Sequence, residues 1–152
     1  MLVRKGSFAN VYELGKKYVK KVSIVPLIHY TFVREWMVLA GLNHPNVITL
    51  HGVDVVDNKL AVILERLKYT LQRKKNLIKK KQIAGLMYQL LSAVAYIHKK
   101  GLIHGDLNTS NVMIRPGVKI IDFGLTIVSI TAYGVLYTIN YRAPEILEGE
   151  GV

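Results

Sequence analysis

The chain has 152 residues, 51% hydrophobic and 9% aromatic, which is enough apolar material for a core and excludes a disordered chain. It has no cysteine, which excludes a disulfide framework and a thiolate metal site, and its formal charge is +11 at pH 7. We find no apolar signal segment at the N-terminus and no apolar run long enough to cross a bilayer. We therefore expect a soluble intracellular protein, cytoplasmic or nuclear.

The first half of the chain is predicted to form short strands around one helix. The alternation of residue types predicts strands at Phe8–Tyr12, Lys17–Ser23, Val47–Val55 and Lys59–Leu64. A hairpin turn at residues 13–16 joins the first two strands. Phe32–Leu42 has Phe32, Trp36, Leu39 and Ala40 at helical spacing, which predicts a helix. Pro45 restricts the residue before it and has no N–H, so we expect the helix to end by residue 43.

The second half is predicted to contain a long amphipathic helix followed by short strands. One apolar helical face is formed by Ile83, Leu86, Met87, Leu90, Leu91, Val94 and Ile97. Cations and then a glycine, at residues 99–101, are typical of a helix C-terminus. Strands are predicted at Val112–Ile114 and Val118–Ile121. The order of elements indicates an α+β fold with a cleft between its two parts, which is a common ligand site.

Much of the positive charge lies in one stretch, and two interpretations of it remain open. The cations are Lys68, Arg73, Lys74, Lys75, Lys79, Lys80 and Lys81. Such a run is commonly a solvated surface segment. It would also attract acidic partners, nucleic acid or anionic lipid. Nucleic-acid binding is the weaker hypothesis, because Tyr69 is the one aromatic residue interleaved with these cations.

A short polar loop between two apolar stretches carries the residue types needed for acid–base and metal chemistry. Asp106 could orient a nucleophile and accept its proton, and Asn111 follows it by five positions. Asp122 comes directly after a predicted buried strand, where a carboxylate could hold a divalent cation. Taken singly, each motif is weak. In this order, together, they point to one site.

The motifs of this chain resemble those of the eukaryotic-like protein kinase superfamily over nearly its whole length. The matching stretches are Gly6-Ser7-Phe8-Ala9-Asn10-Val11, Val19-Lys20-Lys21, Glu35, His104-Gly105-Asp106 through Asn111, Asp122-Phe123-Gly124 and Ala143-Pro144-Glu145. The resemblance implies an α+β, two-lobed kinase fold over residues 1–152. Residues 1–66 would be a β-rich N-lobe with one helix, and residues 67–152 a truncated, incomplete helical C-lobe that ends after the last motif.

The same resemblance implies transfer of the ATP γ-phosphate, with Mg²⁺, to a Ser/Thr hydroxyl of a protein substrate. Asp106, Lys21 and Glu35 would be the catalytic residues, with Glu35 fixing Lys21 on the phosphates. Asn111 and Asp122 would hold the metal. Nucleotide contacts would come from Gly6, Val11, Val19, Lys21, Glu65, Leu67, Asn111, Met113 and Asp122. Leu64 would be the gatekeeper, and Leu39, Leu50, His104 and Phe123 would stack as an internal spine.

The chain departs from the family pattern at several positions. Arg4 and Ala9 stand where the glycine-rich loop usually has glycine, which weakens the expectation of close backbone contacts with phosphate, although the Arg4 side chain could contact phosphate instead. Gly105 replaces an arginine that normally meets a phosphorylated activation loop, so we expect no requirement for phosphorylation there. Asn108 replaces a lysine near the γ-phosphate. Thr138, seven residues before Glu145, favours the serine/threonine class over the tyrosine class.

Because the resemblance also implies further helices beyond residue 152, we expect apolar surface in the second half that a partner protein could cover. The sequence leaves three hypotheses of function. The leading hypothesis is a serine/threonine protein kinase. The alternative is a catalytically weak or inactive kinase mimic that binds and regulates a partner kinase. A basic nucleic-acid-associated protein is a third and weaker hypothesis.

Overall fold

The computed structural model describes residues 1–6, 8–25, 30–114, 117–128, 139–141 and 144. Within these residues, the first half is a β-sheet with one helix, and the second half contains a long helix flanked by short strands. The predicted α+β class is confirmed. The predicted lobe boundary between residues 66 and 67 stays a prediction.

Five antiparallel strands form the N-terminal sheet, in the order β1-β2-β3-β5-β4. They are β1 (Leu2–Lys5), β2 (Ala9–Leu14), β3 (Tyr18–Ser23), β4 (Leu50–Val56) and β5 (Lys59–Glu65). The sequence did not predict β1. The strand predicted from Val47 begins three residues later, because Val47 and Ile48 leave the sheet and pair with Ile120 instead.

Helix α1 (Tyr30–Ala40) lies against this sheet and begins and ends two residues before the predicted helix. Its buried residues are Phe32, Glu35, Val38 and Leu39. Trp36, which the spacing placed on the apolar face, is 39% exposed. The buried face is therefore centred on the carboxylate of Glu35 rather than on the indole, and a carboxylate in that position requires a cationic partner.

The second half is built from one long helix and several two- or three-residue strands. The elements are β6 (Tyr69–Thr70), α2 (Leu71–Lys74), a 3₁₀ turn (Lys75–Leu77), α3 (Lys80–Lys99), β7 (Leu102–Ile103), β8 (Val112–Ile114), β9 (Val118–Ile120), β10 (Ile127–Val128) and a second 3₁₀ turn (Ile139–Tyr141). β6, β8 and β9 form a three-stranded sheet, and β7 pairs with β10. Thr70 caps α2, since its hydroxyl accepts from the Arg73 N–H at 3.3 Å.

Helix α3 buries only part of the face that its apolar spacing predicted. Ala93 and Ile97 are buried in the core. Ile83, Met87 and Leu91, four residues apart, are 49%, 45% and 58% exposed. No helix of the described residues is long and apolar enough to cross a membrane.

One hydrophobic core joins the two halves. It contains Phe32 and Leu39 of α1, Ile97 of α3, and Ile120 and Phe123 at and beyond the end of β9. Backbone hydrogen bonds reinforce the junction: the Ile48 N–H donates to the Ile120 carbonyl at 3.0 Å, and the Ile120 N–H donates to the Asn46 carbonyl at 2.9 Å. This connection fixes the end of β9, and thus Asp122, beneath the N-terminal sheet.

Candidate active site

A cleft of about 530 Å³ lies between the N-terminal sheet and the strands of the second half. Nine residues singled out from the sequence line it: Val11, Val19, Lys21, Glu35, Leu64, Glu65, Leu67, Met113 and Asp122. Its walls come from β2, β3, β5, β8 and α1, elements that are far apart in the sequence. Apolar residues from both halves and a cluster of charges therefore line the same cleft.

The charged cluster consists of one ammonium group between two carboxylates. Lys21 Nζ lies 2.8 and 3.0 Å from the two Glu35 oxygens and 3.0 Å from Asp122 Oδ1. It also lies 5.5 Å from the centre of the Phe32 ring. The Glu35 side chain is 2% exposed and that of Asp122 46%. Lys21 is thus anchored by a buried acid and meets a second acid that faces the cleft.

The electrostatics follow from two acids sharing one cation. Burial alone would lower the pKa of Lys21, but Glu35 and Asp122 raise it well above its usual value, so the ammonium stays charged. Burial raises the pKa of Glu35 against the pull of Lys21. For Asp122, burial acts to raise the pKa, yet the charges of Lys21 and Arg4 hold it below the usual value. Asp122 is therefore an ionised carboxylate in the cleft at neutral pH.

The polar loop between β7 and β8 folds around Asp106. Asn111 Nδ2 donates to Asp106 Oδ2 at 2.8 Å and to the Asp106 carbonyl at 2.9 Å. Asn108 Nδ2 donates to Asp106 Oδ1 at 3.0 Å. Asn108 Oδ1 accepts the backbone N–H groups of Ser110 and Asn111 at 2.8 and 3.2 Å. Two carboxamides thereby fix both oxygens of the Asp106 carboxylate.

His104 links this loop to the strand that ends just before Asp122. Its Nε2 lies 3.0 Å from the Ile121 carbonyl, which can only accept, so Nε2 carries the proton. Nδ1 then accepts the Asp106 N–H at 3.2 Å. Burial lowers the pKa of His104, which favours this neutral form. The ring meets Phe123 edge-on, with centroids 4.8 Å apart. His104 thus positions Asp106 relative to Asp122, and its ring nitrogens are both engaged in doing so.

Comparison with known proteins agrees with this geometry. The sequence matches the family described as "Protein kinase domain" over residues 4–152. The chain belongs to the protein kinase family. It is also similar to "Cell division control protein 2 homolog 3" of Trypanosoma brucei brucei, with 35% identity over 133 residues. That match covers 81% of this chain and 43% of the trypanosome protein, so this kinase chain spans less than half the length of that relative.

Not every residue predicted for the kinase site lies on the cleft wall. Gly6, Asp106 and Asn111 are not among the lining residues. The Gly6 N–H donates to the Ala9 carbonyl at 2.9 Å, and a Cβ on Gly6 would lie 2.9 Å from the same oxygen, which explains why glycine suits this position. Asn111 is nevertheless tied to the Asp122-Phe123-Gly124 motif, because the Ile121 N–H donates to its carbonyl at 2.9 Å. Phosphate contact by Gly6 stays a prediction.

The structure adds cleft residues that the sequence did not indicate. They are Val3, Ile48, Lys68, Thr70, Gln72, Arg73, Ser110 and Ile121. Arg4, which the sequence marked as a departure from the glycine pattern that could contact phosphate instead, also lines the cleft, close enough for its charge to lower the pKa of Asp122. Gln72 joins the cleft because its backbone N–H donates to the Thr109 carbonyl at 2.9 Å. No local sequence signal predicts such a long-range bond.

Most of the segment between Asp122 and Glu145, which the resemblance identifies as the activation segment, lies outside the described residues. Thr138, Ala143 and Glu145, which the sequence analysis used, belong to that part. Of the nearby described residues, the Tyr141 hydroxyl lies 3.0 Å from Thr109 Oγ1 in the loop that carries Asp106. The predicted independence from phosphorylation of this segment stays a prediction.

The presence of glycine at position 105 has a structural explanation that the resemblance to the kinase family did not suggest. The φ of Gly105 is +83°, and a Cβ at this position would lie 2.3 Å from the Leu125 carbonyl oxygen. Any side chain would have to displace the backbone directly after the Asp122-Phe123-Gly124 motif. The arginine usual in the family therefore does not fit this loop as it is folded here.

We expect Gly105→Ala to lower the free energy of unfolding by about 2 to 4 kcal/mol, since it combines a left-handed backbone with an overlap. Urea denaturation would measure the change. Gly85→Ala is the control, because a Cβ there meets nothing within 4 Å and Gly85 lies inside α3. That control should raise stability slightly. Equal effects of the two substitutions would contradict the steric explanation.

Proposed function

We propose that this chain transfers the γ-phosphate of ATP to a serine or threonine hydroxyl of a protein substrate. One observation carries the proposal: the contact of Lys21 with both Glu35 and Asp122, at 2.8 and 3.0 Å, in a cleft next to the Asp106 loop. In phosphoryl transfer the protein contributes mainly positioning and charge stabilisation, so the arrangement of these charges matters more than any single nucleophile.

Lys21 would hold the nucleotide phosphates. Its ammonium is held in the cleft by a buried carboxylate, so little reorganisation would be needed when an anion enters. Glu35 is the positioning residue in this scheme, because its 2%-exposed side chain contacts Lys21 rather than the cleft solvent. Arg4 would add a second cation near Asp122, in place of the missing glycine of the loop.

The donor set near Asp122 fits magnesium. The described residues contain no cluster of three or more acidic, histidine or cysteine side chains that could enclose a metal. Magnesium in nucleotide sites uses only one or two protein carboxylates and takes other ligands from phosphates and water. Asp122 would supply a carboxylate oxygen, and Asn111 its Oδ1, since both hydrogens of its Nδ2 are donated to Asp106. Bound magnesium would neutralise charge on the phosphates.

Asp106 would orient the acceptor hydroxyl and accept its proton. The two carboxamides of Asn108 and Asn111 fix the direction of its carboxylate, which supports in-line positioning of an acceptor. Asn108 stands where the family usually has a lysine, and in this chain it organises the loop instead of supplying charge. Lys21 and Arg4 would then supply the protein's positive charge near Asp122.

The apolar end of the cleft would accept the adenine ring. Val11 and Val19 from the N-terminal sheet and Met113 from β8 line the cleft. Leu64 is the proposed gatekeeper near the end of β5, and residues 65–67 are the proposed hinge. The Glu65 carboxylate accepts from the Thr49 N–H at 2.8 Å and from Lys119 Nζ at 2.5 Å. These bonds would keep the hinge backbone in place.

The serine/threonine preference rests on Thr138 in the sequence. Its position, seven residues before Glu145, is the one at which the family's serine/threonine members keep a threonine that contacts the catalytic aspartate. Both residues lie outside the described part of the chain.

The test is thermal denaturation with and without Mg-ATP, followed by an assay of phosphate transfer to a generic protein. At 100 times its Kd, the ligand should stabilise the fold by about 2.7 kcal/mol, a rise in Tm of roughly 5 to 10 °C. Asp122→Asn should abolish the magnesium-dependent part of that rise. Asp57→Asn, in an exposed turn, should leave it unchanged. No rise and no transfer by the unmodified chain would contradict the proposal.

The alternative, a kinase mimic that binds and regulates a partner kinase, is favoured by one observation. Ile83, Met87 and Leu91 form an exposed apolar row on α3, and such rows are common at protein interfaces. The two functions differ in the same experiment: a mimic would give no transfer to any protein, whatever its affinity for Mg-ATP.

A further inference from the structure

Beside the cleft lies a strongly basic surface, which we call the basic shelf. It is formed by Lys68, Arg73, Lys74, Lys75, Lys79, Lys80 and Lys81, in the segment from the end of β5 to the first turn of α3. Six of the seven side chains are exposed, and Lys74 is half-buried. The surrounding sequence carries no negative charge to balance these cations, since no Asp or Glu occurs between Glu65 and Asp106.

A solvated surface would normally mix the two signs of charge, because pairs of opposite charge stabilise helices and like charges repel. Among the described residues, none of the shelf cations forms an ion pair with a carboxylate. Lys68 and Lys74 instead approach the same Tyr69 ring, with Nζ 5.3 and 4.7 Å from its centroid. Within this part of the chain, positive charge is thus concentrated without compensating carboxylates.

The shelf is continuous with the candidate active site. Lys68 and Arg73 line the cleft itself, together with Ser110 of the loop between Asp106 and Asn111. β6 pairs with β8, directly after that loop, and the Gln72 N–H donates to the Thr109 carbonyl. Gln72 and Ser110 also share a side-chain hydrogen bond. A chain that presents a hydroxyl to Asp106 would therefore pass close to these cations.

We infer that the basic shelf selects substrates whose phosphate-accepting hydroxyl is flanked by acidic residues. This inference rests on the proposed function and adds the substrate class to it. Aspartate, glutamate or phosphorylated side chains of the substrate would neutralise the shelf cations, which pair with no carboxylate among the described residues. An acidic polypeptide fits better than nucleic acid, because the shelf has one aromatic ring, Tyr69, and two lysines already occupy positions over it.

The experiment uses two fluorescein-labelled serine peptides that differ only in their flanking residues, Asp and Glu in one, Asn and Gln in the other. Binding is measured by fluorescence anisotropy at low salt, and transfer as kcat/KM. The shelf variant is Lys74→Gln/Lys75→Gln/Lys79→Gln, which leaves the cleft residues unchanged. Its matched control is Lys16→Gln/Lys99→Gln/Lys100→Gln, three exposed lysines outside the shelf.

We expect the acidic peptide to bind about tenfold more tightly than the amide peptide, with the preference lost in the shelf variant and kept in the control. Raising the salt concentration should reduce it. Equal binding of the two peptides, or a preference that survives in the shelf variant, would overturn the inference. So would tighter shelf-dependent binding of a single-stranded oligonucleotide, which would identify a nucleic-acid surface.

The two proposals fail in different ways. Transfer to both peptides at equal efficiency, with equal binding, would overturn the shelf inference and leave the kinase proposal standing. Preferential binding of the acidic peptide without any transfer would overturn the kinase proposal. In that case the shelf would still be an acidic-peptide surface, since the binding measurement does not require turnover.

Discussion

Replacing Lys21 with methionine is expected to lower the free energy of unfolding by about 3 to 5 kcal/mol and phosphate transfer by at least about 100-fold. The stability loss arises because Glu35, 2% exposed, would keep a buried carboxylate without its cation. The activity loss arises because the cleft would lose the ammonium that faces Asp122. Urea denaturation and a transfer assay measure the two effects separately.

The stability loss should depend on pH in a definite direction. Burial already raises the pKa of Glu35 in the unmodified protein, and loss of Lys21 can only raise it further. The folded variant then binds a proton that the unfolded chain releases at about pH 4.3. Its stability therefore falls as the pH rises through that value and levels off above the folded-state pKa. The difference from the unmodified protein should be smallest below about pH 4.

Two further variants make this explanation testable. Lys20→Met alters the residue before Lys21 in β3, whose partly exposed partner Asp54 lies 2.7 Å away, and should lower the free energy of unfolding much less than Lys21→Met. Lys21→Met/Glu35→Leu removes both buried charges and should recover most of the lost stability without recovering transfer. A double variant as unstable as Lys21→Met alone would show that the loss has another origin.

The fold was predictable where the sequence pattern is local. The strands around Lys21 and before Asp122 follow from apolar alternation, and the structure brings both residues together beside Glu35. The spacing of α1, by contrast, suggested Trp36 for the buried face. The acid is buried instead because Lys21, fourteen residues earlier, compensates its charge, and helical periodicity holds no information about that contact.

In the candidate site, too, some residues could be identified from the sequence and others only from the tertiary structure. Asp106, Asn111 and Asp122 could be selected by residue type and order. Gly105 and Asn108 were seen only as departures from a family pattern. Their roles depend on the Leu125 carbonyl and on the folded path of the loop, which are set by tertiary structure. The exposure of Ile83, Met87 and Leu91 on α3 could not be predicted either, because periodicity predicts an apolar face but does not predict what packs against it.

Asp106→Asn is expected to reduce phosphate transfer by about 100- to 10,000-fold while leaving the response to Mg-ATP close to that of the unmodified protein. The carboxamide keeps the size of the side chain but cannot accept the proton of an acceptor hydroxyl. Asp106 does not line the cleft that is proposed to bind ATP, and its carboxylate contacts Asn108 and Asn111 instead. Asp106→Asn should therefore reduce turnover strongly and leave the Mg-ATP-dependent rise in Tm nearly unchanged.

The effect of Asp106→Asn on stability has to be distinguished from its effect on proton transfer. The introduced carboxamide would turn an N–H₂ group toward one of two donating carboxamides, so the free energy of unfolding should fall by about 1 to 3 kcal/mol. Asn108→Ala removes one of those donors and the acceptor of the Ser110 and Asn111 N–H groups but keeps the Asp106 carboxylate, so it should lose at least as much stability with a much smaller loss of turnover. If the two variants lost turnover equally, Asp106 would act by holding the loop together, and another group would have to accept the proton.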